Sequence, residues 1–215
     1  MGNDAMIESA FPKAAMGDLV ADDCLEDREP RRKVLCRSPG FMANLRKRSG
    51  VAPRAIEFDV LTTARSGEAR SAVWAGIDIK ERVWTILADR MKASRKHEVP
   101  LSGAALAILA DLPSFDGNGH VFAGSGRAGR MSENALLNVL KRMDLGHLPQ
   151  HGLRSTFRDW ADETTSHLCE VMEHALAHRL KDRTEAAFQS GTFFPKRRVL
   201  KGEWSGYCGS RETPP

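Results

Sequence analysis

Apolar residues first settle into a helical rhythm just after Ser38. In SPGFMANLRKRSG, Phe41, Met42 and Leu45 fall on one face, Pro39 stands at the start and Gly50 at the end, so the pattern predicts a helix. APRAIEFDVLTTA predicts a second helix, with Ile56, Val60 and Ala64 at helical spacing beside Leu61. A third, short helix is expected from Ser66, an N-cap residue type with Glu68 in the turn after it. The period then shortens. VWAGIDIKERVWTILADRMKASRKHEVPL alternates at Ile77 and Ile79, breaks at DIKER, resumes in the β-branched and aromatic VWTIL, breaks at KASRK and ends in EVPL. This predicts a small three-stranded antiparallel sheet with a strongly basic hairpin tip. Helical spacing returns at about 102–112, 132–143, 153–165, 169–177, 182–189 and 195–204. Between the first two of these, DGNGHVFAGSGRAGR is expected to be a loop around a brief Val121–Phe122 strand. It lacks the flanks of a GxxxxGK[ST] or GxGxxG phosphate cradle. Trp74, Trp84, Phe157 and Trp160 lie in apolar contexts and are expected in the core. The fold class is α+β, mainly α.

Residues 1–38 show no sustained period and are expected to form a tail or linker, leaving 39–215 as the folded domain. Charge marks the same division. Residues 1–30 hold eight acidic and two basic side chains, whereas the remaining 185 hold 20 acidic and 30 basic ones. The segment 31–50 carries seven Arg or Lys and no acid. A basic body suits either a polyanionic partner or a solvated charged face, and charge alone does not choose. The four cysteines are scattered without a CxxC pair, which fits a reducing, cytoplasmic setting. There is no apolar run of membrane length and no secretory signal.

Four local groupings carry candidate chemistry. LTTARSGEAR places Arg65 between two predicted helices, with Glu68 close behind. MKASRKHEVPLS places Lys92 at the hairpin turn, beside Arg95 and Lys96. HGLRSTFRDWADETT holds His151 and Arg154 at a spacing that shares one helical face, followed by Arg158. ALAHRL ends a helix at His178, ten residues before Phe188. Singly, each has a structural alternative, such as an Arg65–Glu68 ion pair, a solvated Lys92 or packed histidines. His147/His151 and His174/His178 also have the i, i+4 spacing of a metal site, although nothing else in the sequence selects one.

Taken in order, the four groupings resemble the catalytic domain of the tyrosine recombinases, the phage-type integrases in particular, over about Gly40 to Tyr207. The family's boxes are T-x-x-R-x-x-E, a hairpin lysine, H-x-x-R, L-x-H and a tyrosine about ten residues later. The resemblance implies phosphodiester exchange on double-stranded DNA, without metal or other cofactor, in integration or excision of a mobile element. It gives Arg65 and Arg154 the scissile phosphate, Lys92 the departing 5′ oxygen as general acid, and His151 and His178 proton transfer and hydrogen bonding. Glu68 supports Arg65, and Arg95, Lys96 and Arg158 are expected to contact DNA.

The sequence departs from the family at one atom and in one segment. The nucleophile position is Phe188, within Ala186-Ala187-Phe188, which keeps the ring and removes the phenolic oxygen. The single tyrosine is Tyr207, and its recruitment would require refolding of the C-terminal segment or donation to another subunit. The 38 residues before Pro39 are too few and too acidic for the family's arm-binding and core-binding domains, so a chain without that DNA clamp is expected. The expectation is a recombinase catalytic domain that positions DNA but does not form the phosphotyrosyl bond at Phe188. The alternative is a non-catalytic module that binds DNA, self-associates, or docks onto an intact recombinase.

Overall fold

The computed structural model describes residues 39–87, 96–113, 118–124, 129–132, 134–146, 152–178 and 192–210. The hairpin tip with Lys92, the expected 182–189 helix and the expected N-terminal tail lie outside these residues. The described helices are α1 (Pro39–Arg46), α2 (Val51–Thr62), α3 (Ser66–Arg70), α4 (Gly103–Asp111), α5 (Asn134–Lys141), α6 (Gly152–Thr164), α7 (Cys169–Ala175) and α8 (Phe194–Gly209). The strands are β1 (Ile77–Asp78), β2 (Val83–Ile86) and β3 (His97–Pro100), preceded by a 3-10 turn at Trp74–Gly76. Mainly helical architecture with one small sheet is what the periodicity predicted.

α2 is the central post. Ala55, Ile56, Phe58, Val60 and Leu61 are all buried, and the helix packs on α1, α3, α4, α5 and α8. A helix covered all round has no polar face to spare, so its charged residues need partners. Glu57 has them: it accepts from Arg46 Nε and Arg54 Nη1, each at 2.5 Å. The sheet is antiparallel in the order β1-β2-β3, with Trp84 opposite both Ile77 and Val99. Period-two alternation turns Trp84 and Ile86 into the core. There Trp84 and Phe122 each meet Phe58 at 5.3 Å between ring centroids.

Three details differ from the expected elements. Ser66 is the first residue of α3 and Arg65 is its N-cap. Val121 and Phe122 are buried, but they form no strand; isolated bridges at His120 and Ala123 flank them. α8 runs to Gly209 rather than stopping near Trp204. Its buried stripe of Arg197, Leu200, Lys201, Trp204 and Cys208 keeps helical spacing through two glycines, so packing overrides their poor propensity.

Candidate active site

Arg65 is set by a strained turn. α2 closes on Thr63 in the left-handed region at φ 52°, ψ 28°. A β-branched residue there costs about 1–3 kcal/mol, which the surroundings must offset. They do so with buried hydrogen bonds. Arg154 Nη1 donates to Thr63 O at 2.7 Å, and Lys201 Nζ donates to Thr62 O at 2.8 Å and to Thr63 Oγ1. Two residues on, the Glu68 carboxylate accepts the Arg65 backbone N–H and the Arg65 Nη1 donor, both at 2.9 Å. One buried carboxylate therefore caps α3 and orients the guanidinium.

Arg154 sits in the first turn of α6, is 8% exposed, and also donates through Nη2 to Leu176 O. The longer contact from Arg65 Nη2 reaches the next carbonyl, Ala177 O, at 3.5 Å. Both guanidiniums thus converge on the end of α7. Thr63 O and Leu176 O take two of the five N–H donors of Arg154. Burial lowers the Arg154 pKa, and the nearby Arg65 charge lowers it further. The buried Arg154 charge beside Arg65, which stays a quarter exposed and paired with Glu68, forms a site that an anion would stabilise.

His178 is delivered by the end of α7. Ala177 adopts φ 51°, His178 N donates to Glu173 O at 3.0 Å, and Ala177 N donates to His174 O at 3.2 Å. This 6→1 and 5→2 pair is a Schellman reversal, built here around alanine rather than glycine. It swings the imidazole back over its own helix, where Nδ1 lies 2.6 Å from Glu173 Oε2. The other carboxylate oxygen accepts from Arg158 Nε at 2.9 Å.

α8 braces this arrangement from behind. Lys201 Nζ lies 4.4 Å from the centroid of the Phe157 ring, so the buried amine is met by two oxygens and an aromatic face. Burial pushes its pKa well down, and burial pushes the neighbouring Asp59 carboxyl up to about 8. Arg197 Nη1 donates to Glu98 O at 2.7 Å, tying α8 to β3. Burial holds the His97 imidazole on that strand down to about 3.

The structure therefore brings together Arg65, Glu68, Arg154 and His178. Lys92, Arg95, His151 and Phe188 lie outside the described residues. Lys96 pairs with Glu98 at 2.8 Å and keeps 60% of its side chain exposed. Arg158, with a side chain only 16% exposed, is engaged by Glu173 and, at 3.1 Å, by Asp162. His147 and His151 lie outside the description, and among the described residues no group of three or more His, Cys, Asp or Glu gathers for a metal. Tyr207 stacks on Trp204 and lies tilted against Trp160, each at 5.6 Å between ring centroids, in the aromatic packing between α8 and α6.

Sequence reasoning missed Glu173, Lys201 and Thr63. Glu173 and His178 are five apart, a spacing at which regular helix turns side chains away from each other, and only the left-handed Ala177 reunites them. Lys201 was legible only as a polar residue inside the apolar stripe of α8.

Comparison with known proteins gives the same assignment. A model of the phage integrase family matches residues 40–186. Prophage integrase IntA of Escherichia coli is 35% identical over 151 residues, covering 69% of this chain and 36% of IntA. Prophage integrase IntZ of the same organism is 28% identical over 207 residues, covering 94% of this chain and 51% of IntZ. The integrase of Shigella phage Sf6 is 29% identical over 179 residues, covering 80% of this chain and 46% of that protein. The chain spans about half or less of the length of these relatives. No solved structure gave a significant match. With the arginine pair, its glutamate and the helix-end histidine gathered at one place, and the family matched across most of the domain, this chain belongs to the phage integrase family of tyrosine recombinases.

Proposed function

We propose that the chain is the phosphate-handling domain of a site-specific recombinase that acts on double-stranded DNA in the integration or excision of a mobile element. The convergence of Arg65 and Arg154 on one helix end carries this reading, because it concentrates fixed donors and positive charge where a phosphodiester would sit. Arg65 and Arg154 bracket the nonbridging oxygens, with His178 beside them. Lys92 serves as general acid to the leaving 5′ oxygen, and His151 adds proton-transfer capacity. Arg95 and Lys96 extend the contact along the DNA backbone; Arg158, also expected there, has its side chain held by Glu173 and Asp162. No metal or cofactor enters the reaction, which runs in the cytoplasm on genomic DNA.

Phe188 sets the limit of that activity. Without a phenolic oxygen the native chain binds DNA but forms no covalent intermediate there. Phe188 also favours a second reading, a non-catalytic partner that associates with an intact recombinase on DNA. Titration of duplex DNA at several salt concentrations tests the shared part. Native protein binds with affinity that falls steeply as salt rises, and Arg65→Ala reduces the log–log slope by about one. Salt-independent binding, or none, would overturn both readings.

A further inference from the structure

Glu173 lies outside every box that the family resemblance supplies, yet it touches His178 twice. Its backbone carbonyl accepts the His178 N–H, and its Oε2 lies 2.6 Å from Nδ1. Its Oε1 is held by Arg158, and Arg158 is held in turn by Asp162 at 3.1 Å and by Cys169 Sγ at 3.2 Å. A carboxylate clamped on both oxygens has little freedom to turn. The hydrogen bond from His178 is the chief cause that keeps the Glu173 carboxyl below its usual range, with Arg158 adding to it. An ionised carboxylate only accepts, so the nitrogen facing it must carry the proton. Nδ1 is therefore N–H, and Nε2 is left as the other pole of a ring whose side chain is 44% exposed.

We propose that Glu173 is a positioning residue, acting through His178: it fixes the Nδ1–H tautomer and so makes Nε2 the working nitrogen of the phosphate site. This rests on the phosphate-site reading for its use, though not for its geometry. A ring held in this way accepts a proton or hydrogen bond at Nε2 when neutral. It donates from Nε2 only when it carries both protons. Free neutral imidazole side chains prefer the opposite tautomer, Nε2–H, so the effect of Glu173 is visible in the protein alone. Arg158 is the clamp that keeps the carboxylate in place.

The test is the long-range proton–nitrogen spectrum of 15N-histidine-labelled native protein, at a pH where the rings are neutral. The His178 signals are identified by their loss in His178→Asn. The expected result is an Nδ1–H tautomer in the native chain and a shift to Nε2–H in Glu173→Ala. An Nε2–H ring in the native chain, or an unchanged ring in the variant, would overturn the proposal while leaving the DNA titration untouched. Should Glu173→Ala fail to fold, the native spectrum alone still decides. In a Phe188→Tyr background, Glu173→Ala is expected to slow DNA cleavage about ten- to a hundred-fold, within the range a positioned acid–base group contributes. Adding His178→Ala to it should then cost little more, since both changes disable one unit. Full additivity of the two losses would count against the proposal.

Discussion

Two guanidiniums brought close together, one of them buried, repel each other, and an anion between them relieves the repulsion. Arg154 feels the Arg65 charge and gives two of its donors to backbone carbonyls, so it both builds the site and serves it. The roles separate by substitution. In a Phe188→Tyr background, Arg154→Lys should lose about 10²–10³ in cleavage rate, because a point charge cannot replace the planar fork. Recovery of near-full activity with lysine would show that charge alone suffices. Asp59 gives a second prediction at this scale. Its folded pKa, raised to about 8 by burial, exceeds its ordinary 3.8, so folding favours the protonated form. Its contribution is complete below about pH 4 and is lost as pH rises toward 8. Asp59→Asn should therefore gain thermal stability relative to the native chain as pH goes from 5 to 8, read from melting curves at both. An equal difference at the two pH values would contradict the burial account.

At the scale of elements, α8 acts as the brace. It reaches β3 through Arg197 and the last turn of α2 twice, through Lys201 at Thr62 O and through Trp204, whose Nε1 donates to Val60 O at 2.8 Å. Trp204 is fully buried against Phe157 at 5.4 Å and Trp160 at 5.0 Å between ring centroids. Trp204→Ala should destabilise the domain by about 3–5 kcal/mol in urea unfolding. A loss below about 1 kcal/mol would mean that α8 is not integral to the core. The same helix shows where the sequence was legible. Phe41, Ile56, Trp84 and Phe157 announced their elements because each lies in an unbroken period of 3.6 or 2. The end of α8 beyond Trp204 did not, because Gly206 and Gly209 read as breakers until the aromatic packing around Trp204 is known. Arg65, Arg154 and His178 were legible from their boxes. Glu173 and the bracing by Lys201 were not, since they depend on two left-handed turns, at Thr63 and Ala177, made without glycine.

At the scale of the molecule, the chain combines a proposed phosphate site at Arg65 and Arg154 with a phenyl ring, Phe188, where the family resemblance puts the nucleophile. Its packing argues against a substitute nucleophile: Tyr207 is stacked within α8, and freeing it would break the aromatic cluster that holds the brace. Tyr207→Phe should therefore leave DNA binding and reactivity unchanged. The most direct measurement uses a nicked suicide DNA substrate with the native protein and Phe188→Tyr, scored for a covalent protein–DNA species on a denaturing gel. The account predicts no covalent species from the native chain and a clear one from Phe188→Tyr that disappears when Arg154→Ala is added. A covalent species from the native chain, or one from Phe188→Tyr that persists without Arg154, would contradict it.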